Sequence, residues 1–127
     1  MPLVFALHCF GCGMDVMDYW QPIASEFQFA LVIPEGLESS FNAGPCCGFA
    51  KQNNIDDVGF LASIIQTVTS LGLSSREVSS EAVFAFGWSN GGYLATVAAP
   101  LFHAIAPVSG YVEKVVAACV HHDTLTR

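Results

Sequence analysis

The chain has 127 residues, a little over half of them apolar, with four Lys and Arg against eleven Asp and Glu and a net charge of −7. That is enough for one buried core and one domain, in a globular rather than a disordered composition. Lys51, Arg76, Lys114 and Arg127 stand far apart in sequence, which argues against the clustered basic surface that nucleic acid or an anionic membrane face requires.

Met1-Pro2 leads at once into Leu3-Val4-Phe5-Ala6-Leu7, with no basic leader and no cleavage site; the chain is expected to start inside a domain. A near-continuous apolar run of five reads as a strand buried on both faces of a parallel sheet. Residues 15–27 read as a helix with Met17, Trp20, Ile23, Ala24 and Phe27 inward. Residues 29–33 read as a second strand, closed by Pro34-Glu35-Gly36. Residues 37–53, polar and Gly-rich, are expected to form a surface loop. Asn54-Ile55-Asp56-Asp57 supplies cap chemistry and negative charge for a helix over 56–71, whose Val58, Leu61, Ile64, Ile65, Val68 and Leu71 recur at spacings of three and four.

Residues 82–112 carry no formal charge, long enough to raise a membrane span. Gly87, Ser89-Asn90-Gly91-Gly92, Pro100, Pro107 and Ser109-Gly110 cut that run into short pieces, so it reads as strand 83–86, helix 91–98 and strand 104–108, with no membrane partner. Alternating strands and helices predict one parallel α/β sheet with right-handed crossovers, covered by helices on both faces.

The chemistry centres on Gly87-Trp88-Ser89-Asn90-Gly91. It fits G-x-S-x-G between an apolar strand and a helix, the setting of a nucleophile elbow: Ser89 on a strained turn, Gly87 and Gly91 giving neighbouring backbone room to approach. The Asn90 N–H at the helix start would face an oxyanion. The loop after His8, Cys9-Phe10-Gly11-Cys12-Gly13, is placed to give a second backbone donor from Cys9 or Phe10. His8 itself reads as a loop-ordering strand-end residue in preference to a general base. Trp88 and Phe10 flank the nucleophile in sequence and could contact an acyl or aromatic group or simply pack.

Six ordered blocks carry a family resemblance: Pro2-Leu3-Val4-Phe5-Ala6-Leu7-His8, Val32-Ile33-Pro34-Glu35-Gly36, Phe41-Asn42-Ala43-Gly44-Pro45-Cys46-Cys47-Gly48, Ile55-Asp56-Asp57-Val58-Gly59-Phe60, Gly87-Trp88-Ser89-Asn90-Gly91-Gly92 and Ala104-Ile105-Ala106-Pro107-Val108-Ser109-Gly110. Together, over residues 2–110, they resemble the polyhydroxybutyrate depolymerase and feruloyl esterase family of α/β-hydrolases. The resemblance implies a three-layer α/β/α sandwich with a mainly parallel sheet, present here as an incomplete hydrolase core in a single partial domain, 1–127, with 111–127 an atypical tail. It implies serine-dependent carboxylic-ester hydrolysis without a cofactor, Ser89 as nucleophile, polyester or plant-polysaccharide esters as substrates, and an extracellular setting that the chain itself does not reveal. It reads Asp56-Asp57 as capping rather than catalysis. Cys9 stands where the family usually has glycine. The acid and histidine of the triad, expected in that order after Ser89, lie in the family beyond the strand that 104–108 resembles. Glu113 and His121 offer the order without the intervening strand–helix units, so the chain is expected to be truncated and nearly inactive alone.

Other readings come from the cysteines and from the missing triad members. Cys9-Phe10-Gly11-Cys12 after a strand also opens a thioredoxin-like redox site, but a helix should start at the first cysteine and Gly11 and Gly13 interrupt it. A zinc site from Cys9, Cys12, Cys46, Cys47, His121 and His122 has poor spacing. Five cysteines leave at least one unpaired, and their connectivity is not readable from sequence; Cys119 can be a small apolar residue on a helix. A hydrolase fold without its acid and histidine could serve as an inactive binding module.

Overall fold

The computed structural model describes residues 1–71 and 76–110. Four strands, β1 (Leu3–Leu7), β2 (Ala30–Val32), β3 (Val83–Trp88) and β4 (Ala104–Val108), form one sheet in the order β2-β1-β3-β4, every pair parallel. The apolar run at the start of the chain becomes a central strand, with Leu3, Phe5, Ala6 and Leu7 fully buried.

Alternation along β3 sets the layers. Val83 and Ala85 join Leu3, Phe5, Leu7, Leu61, Leu94, Ala95 and Ala98 in the main core, so α3 (Asp57–Leu71) and α4 (Asn90–Val97) lie on that face. Phe86, pointing the other way, stacks on Trp20 with ring centroids 4.4 Å apart. The 3-10 segment Met14–Trp20 that carries Trp20, and α1 (Gln21–Phe27) continuing from it, cover the opposite face. Helices on both faces of a parallel sheet make the three-layer sandwich that the alternating pattern predicts.

Two expectations need correction. The helix over 15–27 is broken at Gln21. Pro22 lacks an N–H and its ring would clash with the preceding turn, so the chain runs as a 3-10 helix to Trp20 and restarts with Pro22 in the first turn of α1. Met17 and Ala24 point inward, but Phe27, in the last turn, is 69% exposed. Leu71, at the end of α3, is 79% exposed for the same reason: nothing described packs beyond that turn.

The larger correction concerns 37–53. It contains a 3-10 turn, Leu37–Ser39, and a short helix, α2 (Gly48–Gln52), and it buries Ser40, Phe41, Ala43 and Ala50. Backbone entering a core must have its polar groups paired. Here Ser40 Oγ donates to the Leu37 carbonyl and accepts the Ala50 N–H, both at 3.0 Å, and the Ala43 N–H donates to the Cys46 carbonyl at 2.8 Å. Among the described residues, no helix is long and apolar enough to cross a membrane.

Candidate active site

The sheet order places the site. The chain moves outward from β1 to β2, then returns to β3 on the other side of β1, so the connections leave β1 and β3 in opposite directions. At such a switch point the C-terminal strand ends open into a crevice. Leu7 is in register with Gly87 and Trp88 with Val108, so the segments after β1, β3 and β4 emerge side by side: Cys9 to Gly13, Ser89, and Ser109-Gly110.

Ser89 lies between β3 and α4 with φ 54° and ψ −113°. A residue with a Cβ holds that conformation at a cost of about 1–3 kcal/mol unless its surroundings over-determine it. They do. The Ser89 N–H donates to the Val108 carbonyl at 2.8 Å and its carbonyl accepts the Tyr93 N–H at 2.9 Å. A Cβ on Gly87 would overlap the Gly91 carbonyl, one on Gly91 would overlap the Leu7 carbonyl and come within 2.6 Å of that of His8, and one on Gly110 would overlap the carbonyl of Ser89 itself. Glycine at these places lets two strand ends and a helix start converge on one turn.

His8 is fully buried with both ring nitrogens engaged. The Gly36 N–H donates to Nε2 at 2.9 Å, which leaves the ring proton on Nδ1, 2.8 Å from the Cys9 carbonyl. Its ring lies 4.5 Å from that of Phe41. His8 thus fastens the loop after β1 to the segment after β2, with no free nitrogen for proton transfer. That loop is further closed by a Cys9–Cys12 disulfide, Cα atoms 5.2 Å apart, and by the Gly11 N–H on the Ser39 carbonyl at 2.8 Å. Cys9 is 6% exposed and Phe10 54%. Among the described residues, the N–H groups of Cys9, Phe10 and Asn90 have no acceptor; Asn90 is the first residue of α4, where an N–H has no partner within the helix.

The Asn90 side chain does work that the sequence did not announce. Its Oδ1 accepts the Phe41 N–H at 2.7 Å and its Nδ2 donates to the Phe41 carbonyl at 3.0 Å, with Cys46 Sγ 3.7 Å away. One buried amide thereby satisfies both backbone groups of a residue in the long segment and ties that segment to the helix start. Asn90→Ala is expected to leave two buried backbone groups unpaired and to cost roughly 3 kcal/mol, read as a lowered urea midpoint at unchanged slope.

Asp56 caps α3, accepting the Gly59 N–H at 2.8 Å. Asp57, expected to share in capping, is 3% exposed and instead accepts the Asn42 N–H at 2.6 Å, while Asn42 Nδ2 donates to the Ile55 carbonyl. Burial pushes the Asp57 carboxyl above its ordinary value of 3.8, the Asn42 N–H opposes this, and the charge of Asp56 adds to it. The native state then holds that proton to higher pH than the unfolded chain does. This group's contribution to stability therefore falls as pH rises from 3.8 through the raised folded value. Asp57→Asn, which keeps an acceptor for Asn42, is expected to flatten the pH dependence of the melting temperature over that window.

Histidines near Ser89 are otherwise lacking among the described residues. His103 sits at the opposite edge of the sheet, where its N–H donates to the Val83 carbonyl and its Nδ1 accepts the Val83 N–H at 3.3 Å. Glu113, Cys119, His121, His122 and Asp123 lie outside the described residues. Cys46 and Cys47 are joined to each other, and no group of three metal-binding side chains occurs among the described residues. The Cys9–Cys12 pair does not open a helix, as a thioredoxin-type site requires; the first helical turn begins at Met14.

No family model and no curated protein matches the chain. Among solved structures, it is similar to a single-residue variant of SOBER1 from Arabidopsis thaliana, with a TM-score of 0.55 and 18% identity over 91% of this chain and 66% of that one. The likeness is one of fold, an α/β sandwich built on a parallel sheet. The chain spans just under two thirds of that neighbour's length. Within this sandwich, Ser89, Asn90 and the loop holding Cys9 and Phe10 come together at the C-terminal edge of β1 and β3. Trp88, in register with Val108, has its exposed side chain on the face of the sheet that carries Phe86.

Proposed function

We propose that Ser89 is the nucleophile of a carboxylic-ester hydrolase. The observation that carries this is the conformation of Ser89: a serine with a positive φ, held by backbone on three sides, at the switch point of an α/β-hydrolase sheet and at the start of a helix. In this reading Ser89 Oγ attacks the ester carbonyl, and the tetrahedral oxyanion is met by the Asn90 N–H and by that of Cys9 or Phe10. The N-terminal end of α4 adds favourable potential for the developing charge. The alcohol leaves, water enters, and the acyl group is released as acid. The base that takes the Ser89 proton and the carboxylate that orients it come from outside the described residues. The sequence blocks favour esters of the kind hydrolysed by polyhydroxybutyrate depolymerases and feruloyl esterases, polyester or plant-polysaccharide esters met outside the cell.

A fluorophosphonate offered to the folded protein tests this reading, with the adduct located by peptide mass spectrometry. Phosphonylation at Ser89 is the expected result. A folded, full-length protein that leaves Ser89 unmodified overturns the mechanism and makes a binding role the leading account of the fold.

A further inference from the structure

We propose that the Cys9–Cys12 disulfide is a redox switch on the Ser89 site, which is competent when the bridge is closed; the inference rests on the ester-hydrolase reading above. The disulfide sits in the loop whose Cys9 and Phe10 N–H groups have no acceptor among the described residues, and Cys9 is both a bridge member and a candidate donor. Apart from the bridge, few ties fix this backbone. The Cys9 carbonyl receives His8 Nδ1 at 2.8 Å and the Cys12 N–H at a long 3.2 Å, and the Gly11 N–H reaches the Ser39 carbonyl. Gly11, at φ 74° with open space around it, and Gly13 give the opened loop wide conformational freedom. Opening the bridge leaves the donors on a four-residue stretch anchored at its ends, and oxyanion donors lose their effect when displaced by about 1 Å.

Access is asymmetric. Cys9 is buried, whereas Phe10 and Gly11 are exposed and Cys12 is partly so. A small thiolate therefore attacks Cys12 Sγ: a bond forms from the reagent sulfur to Cys12, the Cys9–Cys12 bond breaks, and Cys9 leaves as a thiolate that takes a proton. A second thiol of the reagent attacks the mixed disulfide and frees Cys12. Two electrons pass to the protein, and the dithiol reagent becomes its own disulfide.

The test is the rate of Ser89 phosphonylation on the full chain, before and after dithiothreitol, with free thiols alkylated and counted peptide by peptide. A fall of roughly ten- to a hundred-fold is expected. It should track alkylation of Cys9 and Cys12 and reverse on reoxidation. Cys12→Ser, which removes the bridge but neither donor, should show the low rate without any reductant. An unchanged rate once Cys9 and Cys12 are alkylated overturns the proposal, as does a loss that follows alkylation of Cys46 and Cys47 alone. The alkylation series on the unsubstituted protein decides the matter even where Cys12→Ser does not fold. Absence of any Ser89 reaction in the oxidised chain is a different result: it removes the hydrolase reading and the switch with it.

Discussion

Gly91→Ala is expected to destabilise the protein by about 3 kcal/mol or more, lowering its melting temperature by roughly 12 °C. The added methyl carbon would overlap the Leu7 carbonyl and crowd that of His8. Both obstacles are backbone, the last residue of the central strand, in register with Gly87 of β3, and the residue that follows it, so neither can move aside as a side chain would. The helix must back away instead, taking Asn90 and its bonds to Phe41 with it. Gly11→Ala is the companion measurement. There the new methyl group meets open space and only the φ of +74° is unfavourable, a cost of about 1 kcal/mol. Equal losses at the two positions, by thermal melts of the same preparation, would show that close approach at Gly91 is not what the turn depends on.

Ser89→Gly is expected to raise stability by about 1 kcal/mol while abolishing phosphonylation and ester turnover altogether. The gain comes from the backbone: φ 54° with ψ −113° strains any residue bearing a Cβ, and glycine adopts it freely, less the larger entropy that glycine loses on folding. Ser89→Ala separates the two effects. It removes the hydroxyl and keeps the strain, so it should be equally inert and no more stable than the parent. A serine whose removal to glycine stabilises the chain is held in place against a folding cost, which is the signature of a residue kept for its chemistry. If the glycine variant melts below the alanine variant, the strain is not stored at this turn.

The strands and the tight strand-to-helix turn at Ser89 are legible because each is local. Five apolar residues in a row from Leu3, the short apolar run of β4 before Ser109-Gly110 and the three-and-four spacing of α3 each fix an element from its own residues, and Gly87, Ser89 and Gly91 carry their spacing within one turn. What stayed hidden depends on partners remote in sequence. Asn90 reads as one more turn residue until Phe41 is brought beside it. Asp57 looks like a second cap, yet the helix start needs only Asp56, and the Asn42 amide claims the other carboxylate. The segment 37–53 looked like surface because it is polar. Phe41 and Ala43 nevertheless enter the core, since Ser40 within the segment and Asn90 and Asp57 from elsewhere in the chain take up backbone groups that would otherwise need water. Pro22 is itself a legible signal: apolar residues on both sides of it share one helical spacing, but its ring divides them into two segments.

The strand order also governs how this turn comes into being. β1 must wait for β3, which arrives only after the whole of α2 and α3 has been laid down, and Ser89 acquires its bond to Val108 only once β4 has docked in its turn. Contacts so far apart along the chain close slowly, and until they close nothing holds the serine in an unfavourable backbone conformation. The turn at Ser89 is thus expected to be among the last features of the molecule to form, and a chain caught part-way through folding would carry the serine without the backbone geometry of the folded protein.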